Sequence, residues 1–328
     1  TEAVRWLLAA QGQELPGALT SVALRTGGGT RAAVESALDA GEVVRSWPMR
    51  GTLHLTAADD LPWMLDLLGG RALAGAASRR AALGMTDEDT GRARELAVAA
   101  LTGGGRLSRT QLLAVLADGG VVTTGQRGYH LIWYLAQTGT LVMGPTAGGE
   151  QLFVLLTEWV PAPRQLEREE ALGELALRFF RSHGPATVED LVRWAGVLVR
   201  DVRAGLAGAG DRLAALDVDG VPHWMDPETP DRLAGCRADA ERVLLLPGFD
   251  ELVLGYADRT CTVPADHADR IVPGNNGVFR PTVVSGGRAV ATWRTAGRGA
   301  ARTLQLDPFT DLPAEVAAAA TQAHAALP

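Results

Sequence analysis

The sequence predicts a mainly α protein with β (α+β), built from tandem winged-helix units and closed by a small β-rich C-terminal domain. Two observations carry this expectation. A helix-then-hairpin pattern recurs over 30–56, 108–156 and 187–225, and helix, helix, two-stranded wing is the winged form of helix-turn-helix. After residue 242 the texture changes to β-branched and aromatic runs separated by Pro-Gly, Asn-Asn-Gly and Ser-Gly-Gly. A helical bundle with accidental hairpins is the plainer alternative that periodicity leaves open.

Apolar residues three and four apart mark the helices: Val4, Leu7 and Leu8; Val34, Ala37 and Leu38; Leu61, Met64, Leu65 and Leu68; Ala93, Leu96, Ala97 and Ala100. In the first unit a helix over 30–43 leads to a strand pair turning around 48–51, with 52–56 returning. In the second, helices over 108–117 and 125–138 flank a turn at Gly119-Gly120, and strands over 141–143 and 151–156 are joined by the glycine-rich 144–149. The third has helices over 187–195 and 198–207 and a hairpin turning at Asp219-Gly220. Ser108 with Gln111 and Thr187 with Asp190 each fit a capping box, in which the first side chain caps the helix and the fourth residue reaches back. Strands over 243–246, 252–256, 278–284 and 288–294 then precede an alanine-rich terminal helix, and Asn275-Asn276-Gly277 reads as a tight hairpin tip. The units divide at 1–57, 58–160, 161–230 and 231–328.

A chain of 328 residues with 47% hydrophobic residues can bury a substantial core spread over two or three packed domains. It shows neither a long uninterrupted apolar run nor a basic stretch leading into an apolar one near residue 1, so a cytoplasmic location without membrane contact is expected. Cys236 and Cys261 are the only cysteines, and their separation excludes a four-cysteine cluster and argues against a zinc ribbon. With no paired His, Cys or Asp ligands at useful spacing, neither a metal hydrolase nor any cofactor is expected. The formal charge of −7 weighs mildly against a nucleic-acid partner, because phosphate contacts supply much of the affinity in such complexes. All 31 basic residues are arginine and none is lysine.

Three ordered motifs are more specific. The segment Arg45-Ser46-Trp47-Pro48-Met49-Arg50-Gly51-Thr52-Leu53-His54-Leu55 contains Arg-Gly-Thr-Leu-His, and upstream of it stands Gln11-Gly12-Gln13. Downstream lie Leu246-Pro247-Gly248-Phe249-Asp250-Glu251 with Gly255-Tyr256, then Val272-Pro273-Gly274-Asn275-Asn276-Gly277-Val278-Phe279-Arg280-Pro281-Thr282. In these motifs the chain resembles the AlkZ/YcaQ winged-helix DNA glycosylases over residues 11–282. One departure is Gly12, at a position where the family usually carries an aliphatic residue.

The resemblance implies a monofunctional DNA glycosylase in which Gln11 and Gln13 are the catalytic pair. The substrate it implies is double-stranded DNA with cationic N7- or N3-alkylated purines, including bulky natural-product adducts or interstrand crosslinks, met by a monomer. The chemistry suits an amide. A purine alkylated at N7 or N3 is already a good leaving group, so the enzyme needs only to expose the nucleotide, hold a water near the anomeric carbon and favour positive charge on the sugar. A glutamine can hold water with its carbonyl and bind a second oxygen with its NH₂, though it cannot act as a useful base. Without the resemblance the pair is simply two polar residues exposed at a helix end.

Arg50 reads either as a wing residue touching phosphate or as a structural residue. His54 reads as lining the lesion pocket or as satisfying buried backbone groups between Leu53 and Leu55. The resemblance implies that a C-terminal hairpin reaches DNA through Asn275, Asn276 and Arg280, although asparagine and glycine suit a turn for backbone reasons alone. Trp6, Trp47, Trp63, Trp133 and Trp194 read as core rather than as stacking platforms. A transcription regulator using winged helices without chemistry is the main rival, and against it the helix over 125–138 offers only Arg127 and His130.

Overall fold

The computed structural model describes residues 1–297, 299 and 302–328. Helix α1 (Glu2–Leu7) ends at Leu8, whose φ of 66° reverses the chain into strand β1 (Ala9–Gln11). Helix α2 (Leu15–Leu24) starts with a proline in its first turn, where a missing N–H costs nothing. Helix α3 (Arg31–Asp39) is capped by the Thr30 side chain, which accepts from the Ala33 N–H. Strands β2 (Val43–Met49) and β3 (Thr52–Ala57) form the first wing.

A run of short helices follows, α4 (Leu61–Met64), a π-helical turn Leu65–Gly69, α5 (Gly70–Gly75) and α6 (Ala77–Ala82), before α7 (Asp87–Leu101). The second helix pair is α8 (Arg109–Asp118) and α9 (Arg127–Gln137), with strands β4 (Leu141–Ala147) and β5 (Glu150–Leu155) and a one-turn helix α10 (Leu156–Trp159). Helix α11 (Arg168–His183) leads to α12 (Val188–Ala195), α13 (Val199–Ala209) and the hairpin β6 (Ala214–Val218) and β7 (Val221–Met225). The expected capping boxes at Ser108 and Thr187 are both formed. The C-terminal part contains α14 (Thr229–Ala240), β8 (Leu244–Leu246), α15 (Glu251–Leu254) and α16 (Ala268–Ile271). Strands β9 (Thr282–Ser285), β10 (Arg288–Ala296) and β11 (Thr303–Pro308) and helix α17 (Ala314–Ala325) complete it.

This is the α+β architecture expected, with small antiparallel sheets. Four of its hairpins share one turn chemistry. Arg50-Gly51, Gly148-Gly149, Asp219-Gly220 and Gly286-Gly287 are two-residue loops with both φ angles positive, the twist that matches right-handed strands. One difference from expectation is that the first two wings merge. Their strands form a single sheet in the order β1-β3-β2-β4-β5, because β2 also pairs with β4 at Arg45 and Met143.

Two local expectations fail. Residues 252–256 are not a strand, since the Asp250 side chain accepts from the Leu252 N–H and starts α15, and a short apolar run has no period to separate the two states. Residues 275–277 are not a hairpin tip. A 3₁₀ turn Pro273–Asn275 sits there, Asn275 is left-handed at φ 51°, and the Asn276 side chain accepts from the Val278 N–H, an Asx turn that replaces strand pairing.

The largest apolar cluster draws on several of these units. It packs Leu8, Ala9 and Met49 of the first unit against Trp63, against Phe179, Phe180 and Trp194 of α11 and α12, and against Phe249 and Phe279. Trp47, Trp63, Trp133 and Trp194 are buried as expected, whereas Trp6 is 45% exposed with the Arg232 guanidinium over its ring.

Candidate active site

Strand β1 is an edge strand only three residues long, and its pairing with β3 sets Gln11 directly opposite His54. Directly opposed residues share a face of the sheet, so Gln11, His54 and Ser46, which also faces His54 across β2, lie together. Gln11 is only 7% exposed, and its side-chain Oε1 is buried without a hydrogen-bond partner. Gln13, beyond the end of the strand, is exposed. The pair thus combines one amide held in the wall with one that meets solvent.

The backbone between them is held tightly. The Gly12 N–H donates to the Leu53 carbonyl at 2.7 Å, and a Cβ on Gly12 would come within 3.1 Å of the His54 backbone. A larger middle residue therefore requires this strand pair to give, which accounts for glycine here. From the other side, the Arg45 guanidinium donates through Nε to the Gly12 carbonyl at 2.7 Å and through Nη2 to the Gln13 carbonyl at 3.2 Å. Its Nη1 is fixed by the Gln151 side chain at 2.8 Å. Burial pulls Arg45 down to about 10, which still leaves it charged at neutral pH.

Behind Gln11 lies a buried carboxylate. Glu251 Oε1 accepts from the Gln11 N–H at 2.8 Å, and Oε2 accepts from the Trp194 indole at 2.9 Å with His183 Nε2 at 3.6 Å. Burial works against its charge, but His183 and the Trp194 hydrogen bond outweigh it and hold the carboxyl below the usual range. Its neighbour Asp250 accepts two hydrogen bonds from Arg25, at 2.8 Å each, and one from Ser21 at 2.6 Å. These offset its burial in the same way.

His54 is wholly buried, and its Nδ1 lies 2.9 Å from the Thr52 carbonyl. A carbonyl only accepts, so Nδ1 carries the hydrogen and Nε2 is a bare acceptor, buried and without a partner. Burial, helped by the nearby Arg50 charge, pushes the imidazole down to about 3, so it is neutral under ordinary conditions. His54 therefore does both things expected of it: it satisfies a backbone carbonyl and leaves one open acceptor beside Gln11.

Backbone strain gathers in the same place. Of the five non-glycine residues with positive φ among the described residues, Asp219 and Asn275 sit in turns that suit them. The other three, Leu8 at 66°, Arg50 at 55° and Phe249 at 60°, lead into β1, tip the first wing and precede Asp250-Glu251. Bulky residues held in this region mark functional sites more often than chance.

The remaining expected residues lie further out. Arg50 is exposed at its wing tip, within electrostatic reach of Glu251 and Arg193. Arg193 also bears electrostatically on Arg259, whose guanidinium lies 5.0 Å from the Phe279 ring. Asn275, Asn276 and Arg280 are exposed on the loop that Phe279 anchors against Phe249, 5.9 Å away. No hydrogen bond among the described residues joins them to Gln11 or His54, and Arg280 faces a separate cleft with Trp293 and Arg294. Arg45 and Glu251 stood inside the sequence motifs without a role; His183, Arg193 and Arg259 had no signal in the sequence. Among the described residues no group of three or more His, Cys, Asp or Glu could hold a metal, and no helix is long and apolar enough to cross a membrane.

A curated relative named interstrand DNA cross-link repair glycosylase, from Streptomyces sahachiroi, is 28% identical over 324 residues, which is 95% of this chain and 85% of the relative. A solved structure, the DNA glycosylase AlkZ of Streptomyces sahachiroi, superposes with a TM-score of 0.80 at 25% identity over 99% of this chain and 88% of its own. The family model described as DNA glycosylase AlkZ-like matches residues 4–327, and the chain belongs to that family of DNA glycosylases.

Proposed function

We propose that this protein hydrolyses the N-glycosidic bond of purines alkylated at N7 or N3 in double-stranded DNA, with Gln13 placing the attacking water and Gln11 binding it or the sugar. One observation carries the reading: a rigid Gln11-Gly12-Gln13 backbone, clamped by Arg45 and Glu251, beside the open acceptor of His54. Neither amide can protonate a leaving group, and the one imidazole beside them is neutral. Lesions that leave as neutral bases without protonation therefore fit the site, and uracil or hypoxanthine do not. Glu251 provides negative charge behind the strand as the sugar becomes an oxocarbenium ion.

The relative's name makes crosslinked and bulky adducts the first substrates to try. The experiment is base release from a panel of defined N7- and N3-alkylpurine duplexes, small, bulky and crosslinked, under single-turnover conditions. Gln13→Ala should slow release roughly 10²-fold with little change in DNA affinity, the scale of a lost positioning contact. Gln11→Ala should do the same or somewhat less, and the double variant should fall short of the product of the two effects. The abasic product should stay intact, because lysine, the usual Schiff-base donor, is absent from the chain. Specific binding without release from any duplex would instead support the regulator reading.

A further inference from the structure

On the side of the first wing that faces α9 runs a groove of about 480 Å³, lined by Arg50 and Gly51, by Arg71 on α5, and by Tyr129, His130 and Trp133. None of Gln11, Gln13, His54 or Glu251 lines it. Its size falls within the roughly 300–1,000 Å³ typical of small-ligand sites. In a chain of net charge −7, the groove carries two arginines and no carboxylate.

Its opposite edge is built from Ala72, Gly75, Ala76, Ala195 and Gly196. Gly196 is the tight point of this edge, since a Cβ there would meet the Arg50 side chain at 3.0 Å. The wall on α9 is an edge-to-face series: Trp47 to Tyr129 at 6.5 Å, Tyr129 to His130 at 5.3 Å and His130 to Trp133 at 6.4 Å. Tyr129 is 39% exposed, with the Arg109 guanidinium over its ring, and His130 Nδ1 is buried without a hydrogen-bond partner. Helix α9 is the second helix of its winged unit, the one that usually reads DNA with polar and basic side chains. Here its one arginine is occupied: Arg127 is paired with Asp89 at 3.0 Å and bonded to the Leu83 and Gly84 carbonyls.

We infer that this groove takes a nucleobase of the bound DNA other than the one released, drawn from its stack against Tyr129, with a neighbouring phosphate between Arg50 and Arg71. Aromatic walls with flanking arginines hold unstacked bases without reading sequence, which suits an enzyme that must part the duplex around a lesion wherever it occurs. The inference rests on the DNA-glycosylase reading of the neighbouring site.

Photocrosslinking tests it on the full chain. A duplex with an abasic-site analogue is prepared with one 5-iododeoxyuridine at successive positions around the analogue on both strands, and crosslinked peptides are mapped. A crosslink to Tyr129, His130 or Trp133 from one or two positions is expected. It should vanish in Tyr129→Ala and persist in Tyr129→Phe, and Tyr129→Ala and Arg71→Ala should each weaken binding to the same duplex about tenfold. Crosslinks confined to other elements, or full affinity in Tyr129→Ala, would overturn the inference, as would a loss confined to Arg71→Ala, which leaves only a phosphate contact. Base release by the wild-type protein is measured alongside. Release without the crosslink removes the groove and keeps the glycosylase, whereas the crosslink without release supports the groove and removes the catalytic reading.

Discussion

An amide can hold a water but cannot take its proton, so in the proposed reaction the residues around Gln11 and Gln13 supply the electrostatics that the pair lacks. Among the described residues Glu251 is the one carboxylate bonded to that strand. Glu251→Gln keeps an acceptor for the Gln11 N–H while removing the charge, and should lower the single-turnover rate about tenfold with DNA affinity nearly unchanged. An unchanged rate would reduce Glu251 to a structural support. His54 gives a pH signature. Its folded-state value of about 3 lies below the ordinary 6.5 because of burial, so the unfolded chain binds the proton first. Stability from this group is therefore full above pH 6.5 and is lost as pH falls toward 3, by at most about 1.4 kcal/mol per pH unit. His130, pushed down by its partial burial, adds to the same slope, whereas Asp250 and Glu251 act only at lower pH, where unfolded carboxyls titrate. His54→Asn, which keeps a donor for the Thr52 carbonyl, should flatten the dependence of melting temperature on pH between 6.5 and 5. Little of this was legible beforehand. The glutamines acquired a role only through a family resemblance, and Arg45 and Glu251 act through contacts to residues 33 and 240 positions away that no local pattern encodes.

Elements were more legible than residues because caps and turns are local chemistry. Ser108 with Gln111, Thr187 with Asp190 and the Asp219-Gly220 turn all formed where their side chains demanded. The failures came where one local signal fits two structures. Residues 252–256 could be strand or helix until Asp250 capped them, and Asn276 used its side chain on its own backbone instead of turning a hairpin. Strand β1 was invisible, since three residues have no period and exist as a strand only through β3. The first wing tip provides a test of function set against stability. Arg50 holds a left-handed conformation that an arginine adopts at a cost of about 1 kcal/mol or more, whereas Asn-Gly is the preferred pair for this turn. Arg50→Asn should therefore raise stability to denaturant by up to about 1 kcal/mol while weakening DNA binding and reducing its salt slope by about one. A variant more stable and equally tight on DNA would leave the strain at Arg50 without a purpose.

At the scale of the whole molecule the sequence suggests two or three packed domains, and the largest apolar cluster draws residues from several of the units read along the chain. The change of texture near residue 242 was visible, but the core runs across it, because Phe249 and Phe279 pack in the same cluster as Leu8 and Trp194. Polar contacts fasten the same joint. Asp250, buried beside Phe249, receives both η-nitrogens of Arg25 and the hydroxyl of Ser21 from α2, so the C-terminal part and the strand bearing Gln11 are tied through adjacent residues. Removing one partner of a buried pair strands the other charge, at a cost of about 3–5 kcal/mol. Arg25→Met should therefore lower the urea midpoint of the entire chain in a single transition, since the apolar cluster at this joint is shared between the units. Asp250→Asn placed in the Arg25→Met background removes the stranded charge while leaving an acceptor for Ser21 and for the Leu252 N–H, and should recover part of the loss. Base release should follow the same order among the three proteins, because the strand bearing Gln11 is held by the residue next to Asp250. Two separate unfolding transitions in Arg25→Met, with the β-rich C-terminal part melting at its wild-type midpoint, would show that the units fold independently and that the joint does not position the site.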